Sequence, residues 1–560
     1  MKRKYFLFIL SFIFLFALSS CAWFLNLNKE QRNGKGLPLT YSYSNSQYNK
    51  AVRYMNEIDD IIETDNPTYS NKSIINDDIE YIMGFLYDVA SYRTIEYINY
   101  STDSVKYADS KELNRYFQNI VSEVYNWYGL FLTNARNSSF KDFVFEDLSE
   151  EEIDELIPHI ESEEEKEILN ELQDIESDYD DIILEYENLS KDDPNYETKK
   201  ANLENQIRDL YVLFVKQNKL LALEYGYNNY VDYGYVEDHN RDYNQAQADL
   251  FAGYVKDIVY PKLVEINQRL KPKDELFEND DFNSFIKGNH TLYRNYFKSY
   301  AEDMSSKFND CYNHLWNRGY FVFADASSQN SKQGAFTTYL PGSKFNEPIM
   351  YFGPKYQNTF TVVHEFGHYY FYYSSKGEAE LSLDLAETHS QSDELLFLNY
   401  FSNESNFDED TINDIVNYKL KDCLQTILLC TLVDQFEQDV YEKDPNTLTA
   451  NMFDDIMFDV CERMGGYENI KELLGSDPQS YWKRVVVSSP TYYISYATSL
   501  VSSLELYSIS LDSFNNAKNK YEKLIHYDYD EDLKFLDVLE YADLSSPFEQ
   551  DTFENYINIL

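Results

Sequence analysis

The sequence predicts a mainly α-helical body of two or more lobes with one small β-sheet. Its 560 residues exceed what a single hydrophobic core organises. Apolar residues recur at helical spacing along most of the chain, as in Ile153, Leu156, Ile160, Ile168 and Leu172. Strand-like alternation is confined mainly to Gly319 through Phe352, with Tyr320, Val322 and Ala324 in one run and Ile349, Tyr351 and Gly353 in another. A hydrophobic content of 43% with 17% aromatics supplies the core such a body needs and excludes wholesale disorder.

From the N-terminus, Lys2, Arg3 and Lys4 form a basic start, and Tyr5 to Leu18 is an almost unbroken apolar run. The run is too short for an ordinary membrane span and reads as the core of a signal peptide over residues 1–20. Leu18-Ser19-Ser20-Cys21 resembles the lipobox of bacterial lipoproteins. That resemblance implies cleavage before Cys21, a lipid on its thiol, and a membrane-anchored protein outside the cytoplasm. Residues 21–49, rich in Asn, Ser, Tyr and Lys, read as a flexible tether. Cys311, Cys423, Cys430 and Cys461 remain, too few for a disulfide framework in so long a chain and without thiolate-zinc spacing. They are expected as buried free thiols.

Residues 50–235 are expected to form an N-terminal helical lobe. Within it, the charged stretch from Ser149 to Tyr225 is interrupted at Asp192-Asp193-Pro194-Asn195, a turn signal that folds two long helices into a hairpin. The wall of a lobe suits this hairpin better than a coiled-coil arm. Residues 236–560 form the second lobe. The formal net charge of −49 is spread along the chain, mostly as a solvated acidic surface. It repels phosphate backbones, which argues against nucleic acid as a partner and favours neutral or cationic ones.

The chemistry begins just after the strand-like runs. Val362-Val363-His364-Glu365-Phe366-Gly367-His368 contains His-Glu-x-x-His. Positions four apart share a helix face, so both imidazoles can reach one zinc ion, and Glu365 projects beside it to take the proton of a zinc-bound water. Apolar Val362, Val363, Phe366 and Tyr370 mark the helix as buried, where unpaired imidazoles would be awkward. A third ligand must come from downstream: Glu378, Glu380, Asp384, Glu387, Asp393 and Glu394 are the carboxylates available. Glu378 and Glu380 follow Lys376-Gly377, an evident loop. Glu387 lies on the next helical run, Leu381 to Phe401, and shares a face with Glu394 seven residues on. That suits one ligand and one partner that orients an imidazole. His389, two residues past Glu387, points to another side.

With these residues in place, the sequence resembles the oligoendopeptidase F and thimet oligopeptidase group of zinc metallopeptidases. Ala386-Glu387-Thr388-His389-Ser390-Gln391-Ser392-Asp393-Glu394 is similar to that group's Ala-Glu-x-x-Ser-x-x-x-Glu stretch, and Gly334-Ala335-Phe336 to the strand ahead of its zinc helix. Ser489-Pro490-Thr491-Tyr492-Tyr493-Ile494-Ser495-Tyr496-Ala497 is similar to its tyrosine-bearing segment. The resemblance implies a two-lobed helical zincin with one zinc per chain, held by His364, His368 and Glu387 deep in a channel that admits short peptides. It also implies Glu365 as base, Tyr493 and Tyr496 as catalytic phenols, and Gly334, Ala335 and Phe336 in substrate binding. The expected activity is cleavage of internal bonds in short peptides. The run from Ile349 to Gly353 is expected to offer an edge to an extended peptide. One departure stands out: many relatives carry a His shortly before the tyrosine segment, yet Trp482 to Val487 offers only Lys483 and Arg484. This keeps open a second class, a peptide-binding surface lipoprotein with a weakened peptidase site. Intact Glu365 argues for the enzyme, since binding alone needs no general base.

Overall fold

Ala51, Met55, Ile58 and Ile62 recur every three or four residues, which lines them on the buried face of α1 (Asn45–Glu63). With α2 (Tyr69–Thr102) and α3 (Tyr107–Arg136), this helix closes a first core around Ile82, Phe85, Val124 and Phe131. The computed structural model describes residues 44–560 apart from 103–106, 147, 188, 289, 325–333, 344, 378–381, 530–532 and 559. The signal peptide, Cys21 and most of the tether lie outside the described residues, as do Glu378 and Glu380. Helix α1 starts at Asn45, inside the stretch read as tether.

The charged hairpin follows as α4 (Glu163–Glu187) and α5 (Tyr196–Glu224). Its turn is closed by Asp193, whose carboxylate accepts the Asn195 N–H at 2.8 Å. Ile168, Leu172, Ile175 and Tyr179 of α4 and Ile207, Tyr211 and Phe214 of α5 point into a second, larger core. Tyr211 packs there against Phe436, Phe453 and Trp482 at ring separations of 6.2, 4.7 and 5.5 Å. The hairpin is therefore a wall. Ile95 of α2 joins the apolar stripes of α4 and α5 in the larger core, whereas Ile153 packs in the first.

The sheet has three strands: β1 (Phe321–Phe323), β2 (Ala335–Gly342) and β3 (Phe345–Phe352), in the order β1-β3-β2. β1 runs parallel to β3, and β2 is antiparallel to it with Thr338 opposite Ile349. This corrects the expectation that the Ile349-to-Gly353 run presents an edge. β3 is the central strand and is buried from Pro348 to Phe352, since hydrogen bonding on both sides and continuous apolar burial suit a middle position. The edge is β2. Helix α2 lies beside it, and Asp88 accepts the Ser343 N–H at 2.7 Å.

After the sheet come the elements that build the site: α6 (Thr359–Ser375), α7 (Leu383–Glu404), α8 (Glu409–Glu442) and α9 (Ile494–Asp512). Asn358 and Ser382 cap α6 and α7 through their side chains. Buried serines let α7 and α9 approach closely, with Ser392 Oγ 3.0 Å from Ser503 Oγ. Helices α6 and α7 meet at Gly367, where a Cβ would lie 2.6 Å from the Ser390 Cα. Only glycine allows that contact, and the contact sets Glu387 beside the two histidines. All four described cysteines are free and buried. No helix among the described residues is long and apolar enough to cross a membrane.

Candidate metal centre

His364 and His368 project from one face of α6, their rings 4.9 Å apart and nearly perpendicular. Glu387 reaches them from the second turn of α7. Its Oε2 lies 3.3 Å from His364 Nε2 and 3.9 Å from His368 Nε2. One donor atom from each of the three residues lies within 4.8 Å of the others. Two imidazole nitrogens and a carboxylate oxygen converging at a shielded point form a donor set that fits zinc and leaves a position open.

His364 and Glu387 are held from behind. The Nδ1 of His364 lies 2.9 Å from Glu394 Oε1, which directs Nε2 at the centre, and the buried Lys419 ammonium donates to Glu394 Oε2 at 2.6 Å. The Tyr492 hydroxyl donates to Glu387 Oε1 at 2.8 Å, and Ser390 Oγ donates to Oε2 at 3.3 Å. Glu365 is buried on α6, and the Thr337 hydroxyl of β2 donates to its Oε2 at 2.8 Å. The edge strand and the candidate base are thus tied directly.

The ionisable groups at the centre shift one another. Burial opposes a proton on His364, but its hydrogen bonds to Glu387 and Glu394 and their charges hold its pKa well above the ordinary value. Burial raises the Glu387 carboxyl, yet the His364 hydrogen bond, both imidazole charges and Tyr492 keep it below the usual range. Burial pushes His368 down to about 4, opposed by Glu387. Burial pushes Glu365 up to about 7, opposed by His364 and the Thr337 hydroxyl. A proton on His364 and a cation at the centre would compete for the same nitrogen. Because the His364 pKa is raised, the proton is held through neutral pH and must leave when metal enters. Metal binding at pH 7 is expected to release about one proton per ion, and the apparent affinity to fall about tenfold per pH unit below that. Calorimetric titration in two buffers of different ionisation enthalpy checks this; identical heats would contradict it.

The remaining candidate residues fall as follows. His389 is buried away from the centre, its Nε2 2.9 Å from the Leu524 carbonyl and its ring stacked on Phe371. Gly334 adopts φ 105° and its carbonyl accepts the Gly353 N–H, while Ala335 and Phe336 open β2. Phe336 stacks on Tyr351 at 5.0 Å. Tyr493 packs at 6.1 Å from Tyr481 and 5.9 Å from Tyr496, whereas Tyr496 lies against Tyr492 at 5.3 Å. The Tyr492 hydroxyl meets Glu387, and sequence reasoning included Tyr492 in its segment without singling it out. Lys483 pairs with Asp454 at 3.1 Å and with Glu204 of the hairpin at 3.7 Å, and Arg484 lies over the Tyr186 ring of the hairpin. The histidine that does meet the tyrosine segment is His239, with Nε2 2.9 Å from the Pro490 carbonyl and its ring edge-on to Tyr492 at 5.8 Å. No local spacing signals it. Thr337, His239, Arg241 and Lys419 were all missed for that reason.

The helical body, the small sheet and the α6–α7 pair together form the fold of oligoendopeptidase F-type structures. Among solved structures, that of PZ peptidase A with inhibitor 2 matches with a TM-score of 0.71 at 18% identity, covering 93% of this chain and 98% of that one. The oligoendopeptidase-F from Enterococcus faecium matches with a TM-score of 0.54 at 14% identity, covering 92% and 97%. No protein-family model and no curated protein matches the sequence.

Proposed function

We propose that this chain is a zinc-dependent oligoendopeptidase that cuts internal bonds of short peptides outside the cytoplasm. The observation that carries the reading is the convergence of His364, His368 and Glu387 with a buried carboxylate, Glu365, that none of them needs as a ligand. His364, His368 and Glu387 would hold zinc, which would supply Lewis acidity toward the scissile carbonyl and lower the pKa of water there. Glu365 takes the proton of the attacking water and returns it to the leaving amine. Tyr496 donates a hydrogen bond to the oxygen on which charge develops, and Tyr492 holds Glu387 in place. An extended peptide adds to the edge of β2 through backbone hydrogen bonds, beginning at Ala335 and Phe336. The acidic chain favours neutral or cationic peptides over acidic ones.

Peptides of about 5 to 20 residues are expected to be cut internally, and folded proteins to resist, because only an extended chain can reach a recessed edge strand. Hydrolysis with and without a zinc chelator, with products read by mass spectrometry, tests this. Chelator-insensitive cleavage, or efficient digestion of a folded protein, would overturn it.

The anchor belongs to the same reading. Cys21→Ser is expected to release the protein from the membrane fraction or to leave an unprocessed precursor. Tight membrane association after correct cleavage would contradict a lipid on Cys21.

A further inference from the structure

One buried guanidinium joins the tyrosine segment to the helix that carries Glu387. The Arg241 and Asp384 side chains are both fully inaccessible, and Arg241 Nε lies 3.2 Å from Asp384 Oδ2. The other arms of the fork donate to the Thr491 carbonyl at 2.7 Å, the Tyr492 carbonyl at 3.1 Å and Ser495 Oγ at 2.7 Å. Asp384 also accepts from Tyr243 at 2.9 Å and Ser495 at 3.0 Å, and from Thr498. It sits in the first turn of α7, three residues ahead of Glu387.

The segment so held is strained. Thr491 adopts φ 56°, a left-handed conformation that a β-branched residue rarely takes. It persists because its carbonyl is bound by Arg241 and its N–H is accepted by Glu437 at 2.9 Å. Behind it, a Cβ at Gly234 would lie 2.4 Å from Thr491 Oγ1. The next residue is Tyr492, whose hydroxyl meets Glu387 Oε1.

We propose that Arg241 is a positioning residue for the peptide hydrolysis inferred above, fixing the Tyr492–Tyr496 phenols against Glu387. It acts through the tyrosine segment and touches neither metal nor peptide. A planar fork is required because four acceptors on two elements are met at once; a lysine in its place keeps the charge opposite Asp384 but loses that geometry.

Arg241→Lys is expected to keep one metal ion per chain and a KM within about threefold of the parent, while kcat falls about 10- to 100-fold. The Co²⁺-loaded protein gives a readout independent of activity. Arg241→Lys and Tyr492→Phe should shift its visible absorption in the same sense, and the double variant should shift it no further than Tyr492→Phe alone. In kcat the two substitutions should likewise be less than additive. If Arg241→Lys does not fold, Asp384→Asn loosens the same clamp from α7 and should give the same pair of signatures. A parental spectrum and kcat in the clamp variant, or full additivity with Tyr492→Phe, overturns the proposal. A parent that hydrolyses no peptide, with the coupled spectral shifts intact, removes the peptidase reading and leaves the positioning role supported.

Discussion

Glu365→Gln is expected to retain its metal and to lose peptide hydrolysis by about 10²- to 10⁴-fold, the usual contribution of a general base. The substitution is nearly isosteric. An amide oxygen can still accept from the Thr337 hydroxyl, which lies 2.8 Å from the carboxylate, so the edge strand and α6 stay in register. His364 and Glu387 are separate residues and keep their own partners in Glu394, Ser390 and Tyr492. What disappears is the capacity to accept a proton from water. Metal content per chain measured beside kcat decides the matter. A variant that turns over as fast as its parent would show that Glu365 is not the base, whatever the fold.

Glu387→Ala is expected to act on the metal itself. Outer partners of metal ligands contribute about 10- to 100-fold in affinity, and loss of a ligand should exceed that. The reason goes beyond one missing oxygen. Glu387 is buried and ionised, and its charge is the main partner of the His364 proton. Its removal leaves two imidazoles and strips the Tyr492 hydroxyl of its acceptor, so the tyrosine segment loses one of its ties to α7. Competition against chelators of graded strength gives the affinity directly. Near-parental zinc retention in Glu387→Ala would assign the third ligand elsewhere and undo the donor set. The two variants are complementary: one should separate chemistry from metal, and the other should abolish both together.

The sequence by itself determined what local spacing controls. His-Glu-x-x-His puts two imidazoles on one helix face whatever surrounds it, and the seven-residue step from Glu387 to Glu394 places ligand and supporting carboxylate on one side of α7. Asp193-Pro194 broke the charged stretch into α4 and α5 for an equally local reason, and the two strand-like runs fell on β1 and β3. Tertiary structure decided everything that depends on how those faces meet. Strand alternation does not state strand order, so only the packed sheet showed β3 in the middle and β2 at the edge. Adjacent tyrosines on a tight segment are equivalent by spacing. Tyr492 was selected because its hydroxyl meets a carboxylate 105 positions away. Arg241 and Asp384 are 143 positions apart, and Lys419 reaches Glu394 from α8. Contacts of this kind arise from the approach of helices, fixed here by Gly367 against Ser390 and by the serines between α7 and α9. Periodicity assigns a residue to a face; close packing, in which one added methyl group is not accommodated, determines what that face touches.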